Sequence, residues 1–248
     1  MIVVTRPDRQ GIALAAMIEG AGGKALRFPL IEIVPCTSTA LDSVIDRLDA
    51  FDLAIFISRN AVEQGLARVA ARRVWPPNVA VAAVGTGTRH ALEAHGIRNA
   101  FSPDGEADSE ALLRHAGLAA VAGRRIVIFR GEGGRETLAT GLRARGANVE
   151  YAECYRRTRP EIDPRPLIEG LSSGAVGAIV ISSGEGLVNL ARLLGEAGRE
   201  LLAGVRLFVP HRRVAEDAHA FSFSHPVIAG PADEDMLAAL VAYFSRAG

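Results

Sequence analysis

The chain has 248 residues, 49% of them hydrophobic and 23% charged, and its 28 basic residues balance 28 acidic ones. The arginines are scattered rather than massed, which excludes a basic nucleic-acid-binding block, and no apolar run approaches the roughly 20 residues that span a bilayer. The length suits two compact lobes of about 100 to 130 residues better than one ordinary domain.

The start, Met1 to Pro7, has neither the charged end nor the sustained apolar stretch of a signal peptide. Cys36 and Cys154 are too few and too far apart in sequence for a disulfide framework or a zinc site, and they point to a reducing compartment. A cytoplasmic protein with two reduced, partly buried thiols is the expectation, with no membrane or nucleic-acid partner.

Ile2 to Thr5 reads as a short apolar strand and Arg6-Pro7-Asp8 as a turn with helix-start chemistry. Ile12, Leu14, Ala15 and Ile18 form the stripe of a helix that Gly20 to Gly23 end. Phe28 to Pro35 interleaves apolar and charged residues and closes on a proline that cannot continue a ladder, as a half-exposed strand does. A short helix follows over 41–48, then a buried strand over 53–57 and a helix opened by Ser58-Arg59-Asn60 that runs to about Arg72. Val79 to Val84 is the next strand, and Gly85-Thr86-Gly87-Thr88 opens a helix reaching His95. Beyond Ala100-Phe101 and the turn Ser102 to Gly105, a helix starts at Ser109. A strand over 125–129, the turn Arg130 to Gly134, a helix ending at Gly146 and a second interleaved run, Val149 to Pro160, come next. The last third repeats the order: 178–181 with Ser182-Ser183-Gly184, 206–209 with Pro210 to Arg213, and 227–229 with Gly230 onward. Strands alternating with helices of about 10 to 15 residues mean parallel sheets covered on both faces.

This order contains a repeat. The segment from Ile2 aligns with that from Ile126, and the segment from Leu53 with that from Gly177; Ile2/Ile126 and Ser58/Ser182 share an offset of 124, half the chain. Duplication predicts two similar units. The two interleaved runs are longer and more charged than ordinary buried strands and suit crossings between lobes, so the first unit is expected to be exchanged. One lobe would then hold residues 1–33 and 162–248, the other 38–150, with 29–37 and 150–161 as paired connector strands. A cleft would open beside the connectors, with Tyr155 at its mouth.

In open α/β sheets, ligands sit beyond the carboxyl ends of the strands, where helix N-termini present unpaired N–H groups. There the sequence puts Thr5 and Arg6; Ser58, Arg59 and Asn60; Thr86, Gly87 and Thr88; Arg130 and Gly131; Ser182, Ser183 and Gly184; and His211 and Arg212. Backbone amides, hydroxyls and guanidiniums in such turns suit a ligand bearing several carboxylates or phosphates. Ser58, Ser182 and Thr88 also read as ordinary helix N-caps. No G-x-x-x-x-G-K-[ST], complete G-x-G-x-x-G or G-x-S-x-G occurs, so nucleotide and serine-hydrolase readings lack their motifs. The six histidines show no paired ligand spacing, and no metal is expected. Of three tyrosines, Tyr243 reads as packing, while Tyr151 and Tyr155, an even number apart on one strand, should share a face. A tyrosine hydroxyl, ordinarily titrating at about 10, donates rather than takes a proton at neutral pH, so one of them can assist a leaving hydroxide or simply cover the ladder.

The ordered set Ile2-Val3-Val4-Thr5-Arg6-Pro7, Phe56 to Val62, Val84 to Thr88, Arg130 to Arg135, Glu153 to Arg157 and Ile181 to Gly184 resembles bacterial uroporphyrinogen-III synthases over essentially the whole chain. The resemblance implies two flavodoxin-like parallel-sheet α/β lobes joined by a two-strand β-ladder, the first lobe discontinuous. It implies a reaction without cofactor or metal, in which hydroxymethylbilane, a linear tetrapyrrole with eight carboxylates, is cyclised with inversion of ring D. It also implies a monomer supplied by the preceding pathway enzyme. The family's connector tyrosine maps onto Tyr155, as an acid for hydroxide departure, and its threonine after Val-Gly onto Thr88. Where some members carry Gly-Pro-Thr-Thr, this chain has Val209-Pro210-His211-Arg212-Arg213, a basic turn able to hold a propionate. The alternative, from a different class, is a two-lobed α/β binding protein or sensor that closes on a small polyanion without turnover.

Overall fold

The computed structural model describes residues 1–105, 108–202, 204–221, 223 and 225–246. In chain order its elements are β1 (Ile2–Val4), α1 (Asp8–Gly20), β2 (Ala25–Arg27), β3 (Glu32–Pro35), α2 (Thr39–Asp46), β4 (Leu53–Phe56), α3 (Arg59–Ala70), β5 (Ala80–Ala83), α4 (Thr86–Ala94), α5 (Ser109–Arg114), β6 (Arg125–Gly131), α6 (Thr137–Ala144), β7 (Asn148–Thr158), α7 (Arg165–Ser172), β8 (Ala178–Val180), α8 (Gly184–Arg199), β9 (Arg206–Val209), α9 (Arg212–Ala218), β10 (Val227–Ile228) and α10 (Asp233–Arg246). Contacts divide the chain into one unit of Met1–Glu32 with Thr158–Gly248 and a second of Ile33–Arg157. Among the described residues no helix is long and apolar enough to cross a membrane.

The first unit holds a sheet in the order β10-β9-β8-β1-β2, all of its pairs parallel. Numbered within the unit, this is the 2-1-3-4-5 winding of flavodoxin-like folds. The second sheet runs β3-β7-β6-β4-β5, with Phe101 bridging Ala82 beyond β5. Displaced by 124, β1, β2 and β4 fall on β6, β7 and β8, while β5 and Phe101 fall within two residues of β9 and β10. Both sheets therefore share one strand order, and β3 is added at the far edge of the second. In each sheet the central pairing joins the two halves of the chain: Ile2 stands beside Ala178, and Leu53 beside Ile126.

The central strands are apolar throughout because helices cover both of their faces. Side chains alternate, so Ile2 and Val4 pack with Leu14, Ile18, Met236 and Leu240, while Val3 joins Leu187 and Leu190 opposite. Likewise Leu53 and Ile55 pack with Leu138 and Leu142, and Ala54 and Phe56 with Val62 and Phe129. α1 buries Gly11, Leu14, Ala15 and Ile18, at spacings of three, four and seven. Ile12, expected in that stripe, is half exposed because it stands about 100° around the helix from Gly11.

The longest strand, β7, carries an irregularity that decides the site. It pairs with β6 in register up to Arg130 and Glu153, and then Gly131 meets Tyr155. Cys154 and Tyr155 therefore oppose a single step of β6, a bulge that reverses the side-chain parity beyond it. Tyr151 packs with the Ile128 and Leu138 cluster, whereas Cys154 and Tyr155 both enter the Phe56 and Phe129 cluster. The two tyrosines face opposite ways, which corrects the even-spacing expectation.

Candidate functional site

In the second unit the winding reverses between β4 and β6, so the carboxyl ends of β4, β5 and β6 frame the place where such sheets take ligands. Ser58 follows β4 in an extended conformation, and its Oγ accepts the N–H of Ala61 at 3.1 Å, capping α3. Arg59 is exposed, and its guanidinium lies against Gly87 in the first turn of α4. A Cβ at Gly87 would sit 3.3 Å from Nη2 and 3.4 Å from Nε, so the bare glycine is what lets the cation lie there. Arg59 has no ion-pair partner among the described residues. Asn60 is half-buried beside it, Thr86 is exposed, and Thr88 is buried within the first turn while Gly85 holds the cap position expected for it. Two helix starts and an unneutralised guanidinium together favour an anion.

Behind Ser58 stands Tyr155, brought there by the bulge. Its Oη lies 3.1 Å from Ser58 Oγ and 3.4 Å from Nη2 of Arg157, whose guanidinium also covers the ring at 5.7 Å from the centroid. The tyrosine is 0% exposed, which corrects the expectation of an open residue at the mouth of a cleft. Gly131, expected as a ligand, serves the ring instead, since a Cβ there would lie 2.7 Å from Cε2 of Tyr155.

Other expected ligands also belong to the frame. Arg130 is 3% exposed; its Nε donates to the Gly131 carbonyl at 3.3 Å, its Nη1 to Glu136 at 2.9 Å and its Nη2 to the Gly133 carbonyl, and it stacks on Tyr151. Glu136 also accepts the Tyr151 hydroxyl. That bond first, and the bond from Arg130 second, hold the Glu136 carboxyl below the usual range, while burial and Glu136 push the Tyr151 hydroxyl up. Arg6, the counterpart of Arg130 under the repeat, is 8% exposed, pairs with Asp233 and donates to the Pro231 carbonyl at 3.4 Å. Thr5 is buried and donates to the Val180 carbonyl at 2.7 Å. Chain leaving a buried strand exposes carbonyls that need donors, and the nearest guanidinium or hydroxyl supplies them. The sequence reading missed Arg157, Glu136 and Asp233 as partners; the acidic run Asp233-Glu234-Asp235 at the start of α10 was the available signal for the last.

In the first unit Ser183, not Ser182, caps α8, its Oγ accepting from the Gly186 N–H at 3.2 Å. Ser182 and Gly184 are half-buried beside it. Asp217 of α9 lies against Gly184, where a Cβ would be 2.9 Å from a carboxylate oxygen, so this helix start already faces a negative charge. His211 and Arg212 are exposed, and neither side chain has a hydrogen-bond or ion-pair partner among the described residues. A cavity of about 360 Å³, lined by Ile2, Ile18, Lys24, Leu240 and Phe244 among others, lies at the opposite ends of β1 and β2 and is largely apolar.

The cysteines offer no nucleophile at neutral pH. Cys36 is pushed up to about 11, by burial first and then by its 3.2 Å hydrogen bond to Glu132; burial pushes Cys154 up to about 12.

The chain matches the family model described as Uroporphyrinogen-III synthase HemD over residues 12–239. It is 35% identical over 241 residues to the uroporphyrinogen-III synthase of Salmonella typhimurium, covering 95% of this chain and 97% of that protein. It is 34% identical, with the same coverage, to the Escherichia coli uroporphyrinogen-III synthase. Its fold resembles that of a mutant form of uroporphyrinogen III synthase from the extremely thermophilic bacterium Thermus thermophilus, with a TM-score of 0.65 at 20% identity over 99% of this chain and 98% of that one. The corresponding Helicobacter pylori structure gives 0.63 at 14% identity over 98% of both chains. With a family match over nearly its whole length and a 35% identical relative covering 95% of it, the chain belongs to the uroporphyrinogen-III synthase family.

Proposed function

We propose that this chain is a lyase that cyclises hydroxymethylbilane to uroporphyrinogen III, with loss of water and inversion of ring D, in porphyrin biosynthesis. The observation that carries the reading is the juxtaposition in the second unit. An unneutralised guanidinium, Arg59, lies on Gly87 at the starts of α3 and α4, and a tyrosine hydroxyl stands 3.1 Å behind the serine that opens α3. A carboxylate-binding group stands beside a proton source.

The substrate also closes unaided to the uninverted isomer, so the protein's main task is to enforce one geometry. Arg59, Asn60, Thr86, Gly87 and Thr88 in the second unit, and Ser182, Ser183, Gly184, His211 and Arg212 in the first, are the groups we assign to its carboxylates, and Ser58 is placed beside them at the reacting end. Thr5, Arg6, Arg130 and Gly131 hold the turns that carry them. Loss of the terminal hydroxyl leaves an azafulvene, which the last pyrrole attacks at its substituted carbon to give a spiro intermediate; fragmentation and reclosure invert ring D. We assign Tyr155 as the source of the proton for hydroxide departure. No electrons pass to or from a partner at any step, so the chemistry calls for no redox cofactor. The reading places the enzyme in a reducing cytoplasm, consistent with two free cysteines, where it receives its self-cyclising substrate from the enzyme that makes it.

The test is incubation of the purified chain with freshly generated hydroxymethylbilane, oxidation of the products and chromatographic separation of the uroporphyrin isomers. A type III excess over the protein-free control is expected. Type I alone from a folded protein would overturn the assignment.

A further inference from the structure

The proposed reaction needs a proton at a leaving hydroxyl, yet Tyr155 is fully enclosed and cannot touch a substrate. Its hydrogen bonds show where its proton points. Arg157 Nη2 lies 3.4 Å from Oη, and a guanidinium can only donate, so the phenol oxygen accepts there. The phenol's own hydrogen still requires an acceptor, because a buried hydroxyl is rarely left unpaired, and Ser58 Oγ is 3.1 Å away. Ser58 Oγ also accepts the N–H of Ala61 at 3.1 Å. With both lone pairs engaged, Ser58 can only donate its own hydrogen onward. It is half-buried at the carboxyl end of β4 and next in sequence to the exposed Arg59. Arg157, Tyr155 and Ser58 thus form a directed run of donors ending at the start of α3.

We infer that Ser58 is the catalytic residue that hands the proton to the leaving hydroxyl, with Tyr155 behind it as the proton source and Arg157 positioned to hold the phenolate left behind. This rests on the synthase reading above. The C–O bond of the hydroxymethyl group breaks as the pyrrole nitrogen's electron pair forms the new exocyclic double bond. The oxygen departs as water, carrying the hydrogen of Ser58 Oγ, and Ser58 takes the hydrogen of Tyr155. The substrate is left as a protonated azafulvene and the phenolate is paired with the Arg157 guanidinium. When the attacking pyrrole regains aromaticity it releases one proton, which returns through Ser58 to Tyr155, so nothing is oxidised or reduced.

Three single variants and one double separate the relay from a structural role. Ser58→Asn keeps a good helix cap but has no hydroxyl to pass, Ser58→Thr keeps both, and Tyr155→Phe keeps the ring alone. Ser58→Gly, another tolerated cap, replaces the Asn variant should that one misfold. Each is assayed with freshly generated hydroxymethylbilane for kcat, KM, isomer ratio and solvent deuterium isotope effect, with circular dichroism as the check on folding. Ser58→Asn and Tyr155→Phe should each lose about 100-fold in kcat with KM little changed, and Ser58→Thr should stay within about tenfold of wild type. The Asn/Phe double should lose no more than either single change, because both interrupt one path. The wild type should show a curved proton inventory that the Phe variant lacks. A Ser58→Asn enzyme with wild-type kcat, or losses that multiply to about 10,000-fold in the double variant, would remove the relay and leave the synthase reading standing. Wild-type protein that makes only the type I isomer would remove the reading itself and the relay with it.

Discussion

Gly131→Ala probes the packing that sets the Tyr155 ring behind Ser58. The glycine ends β6 opposite the bulge, and an added Cβ would lie 2.7 Å from Cε2, 2.8 Å from Cζ and 3.2 Å from Cδ2 of that ring. Ordinary carbon contacts are about 3.5–4.0 Å, so the methyl intrudes by roughly 1 Å. The ring has no room to retreat, being fully buried with its hydroxyl held at Ser58 and Arg157. Overpacking of this kind costs about 1–3 kcal/mol, and the lower backbone entropy of alanine recovers about 0.5–1 kcal/mol. The central values leave a net loss of about 1 kcal/mol, which should lower Tm by roughly 2–4 °C. Thermal melts of wild type, Gly131→Ala, Tyr155→Ala and the double variant measure it. Removing the ring alone should cost about 3–5 kcal/mol, but in that background the added methyl enters empty space and should be neutral or stabilising. The coupling should exceed about 1 kcal/mol. Gly20→Ala, whose Cβ would meet nothing within 4 Å, is the control and should not destabilise. Equal stability of Gly131→Ala and wild type, or the same loss with and without the ring, would refute the reasoning.

Asp233→Ala should cost about 3–5 kcal/mol by urea unfolding, because it removes the carboxylate that neutralises the buried Arg6 guanidinium; the two side chains are 9% and 14% exposed. Arg6→Met combined with Asp233→Leu should restore most of that loss, and a double variant as weak as the single one would show that the pair is not the cause. Cys36, pushed up to about 11, is roughly 0.1% thiolate at pH 8, against about 10% for a thiol at 9.0. Its alkylation by iodoacetamide should therefore run about 100-fold slower than an ordinary thiol's and rise about tenfold per pH unit up to pH 11, and Glu132→Gln should speed it. Fast, pH-flat labelling would count against this. If Arg59 holds a carboxylate, Arg59→Ala should raise KM at least about tenfold with kcat nearly constant, as loss of a charge-assisted bond does. An unchanged KM would remove Arg59 from the site.

The parallel sheets are legible because the chemistry is local: Leu53 to Ile57 is apolar at every position and followed at once by the capping Ser58, and such a run between helices has nowhere to go but a doubly covered sheet. The repeat alone does not contain the exchange, since each half carries the strands of one complete sheet; the long, charged runs Phe28 to Pro35 and Val149 to Pro160 are what point to it. The bulge is not legible. It arises from the register of β7 against β6, and nothing in the residue types of Cys154 and Tyr155 records it, so parity counted from Tyr151 gives the wrong face. Arg6 and Arg130 read as ligands for a related reason. A sequence shows a guanidinium at a strand end, but the direction it takes depends, for Arg130, on carbonyls of its own turn and, for Arg6, on a carboxylate 227 positions away.

The two halves also separate what builds a strand end from what remains available beyond it. Arg6 and Arg130 correspond under the repeat, and both are buried and tied to the turn that follows or to its neighbour. Counted from the caps, Ser58 and Ser183 for α3 and α8, Gly85 and His211 for α4 and α9, Arg59 and Gly87 correspond to Gly184 and Arg213, so the cation lies on the first helix start of the pair in the second unit and on the next helix in the first unit. Sterics explains the alternation. Arg59 lies where it does because Gly87 offers no side chain, its Nη2 being only 3.3 Å from where a Cβ would begin, and an arginine there, as Arg213 stands in α9, would displace it. Conversely, at the start of α8 the residues are small, and Asp217 occupies the space an arginine would need. Packing between neighbouring helix starts therefore sets where each unit keeps a cation without an ion-pair partner among the described residues, and under the synthase reading those cations, rather than the arginines common to both halves, are the ones we assign to substrate carboxylates.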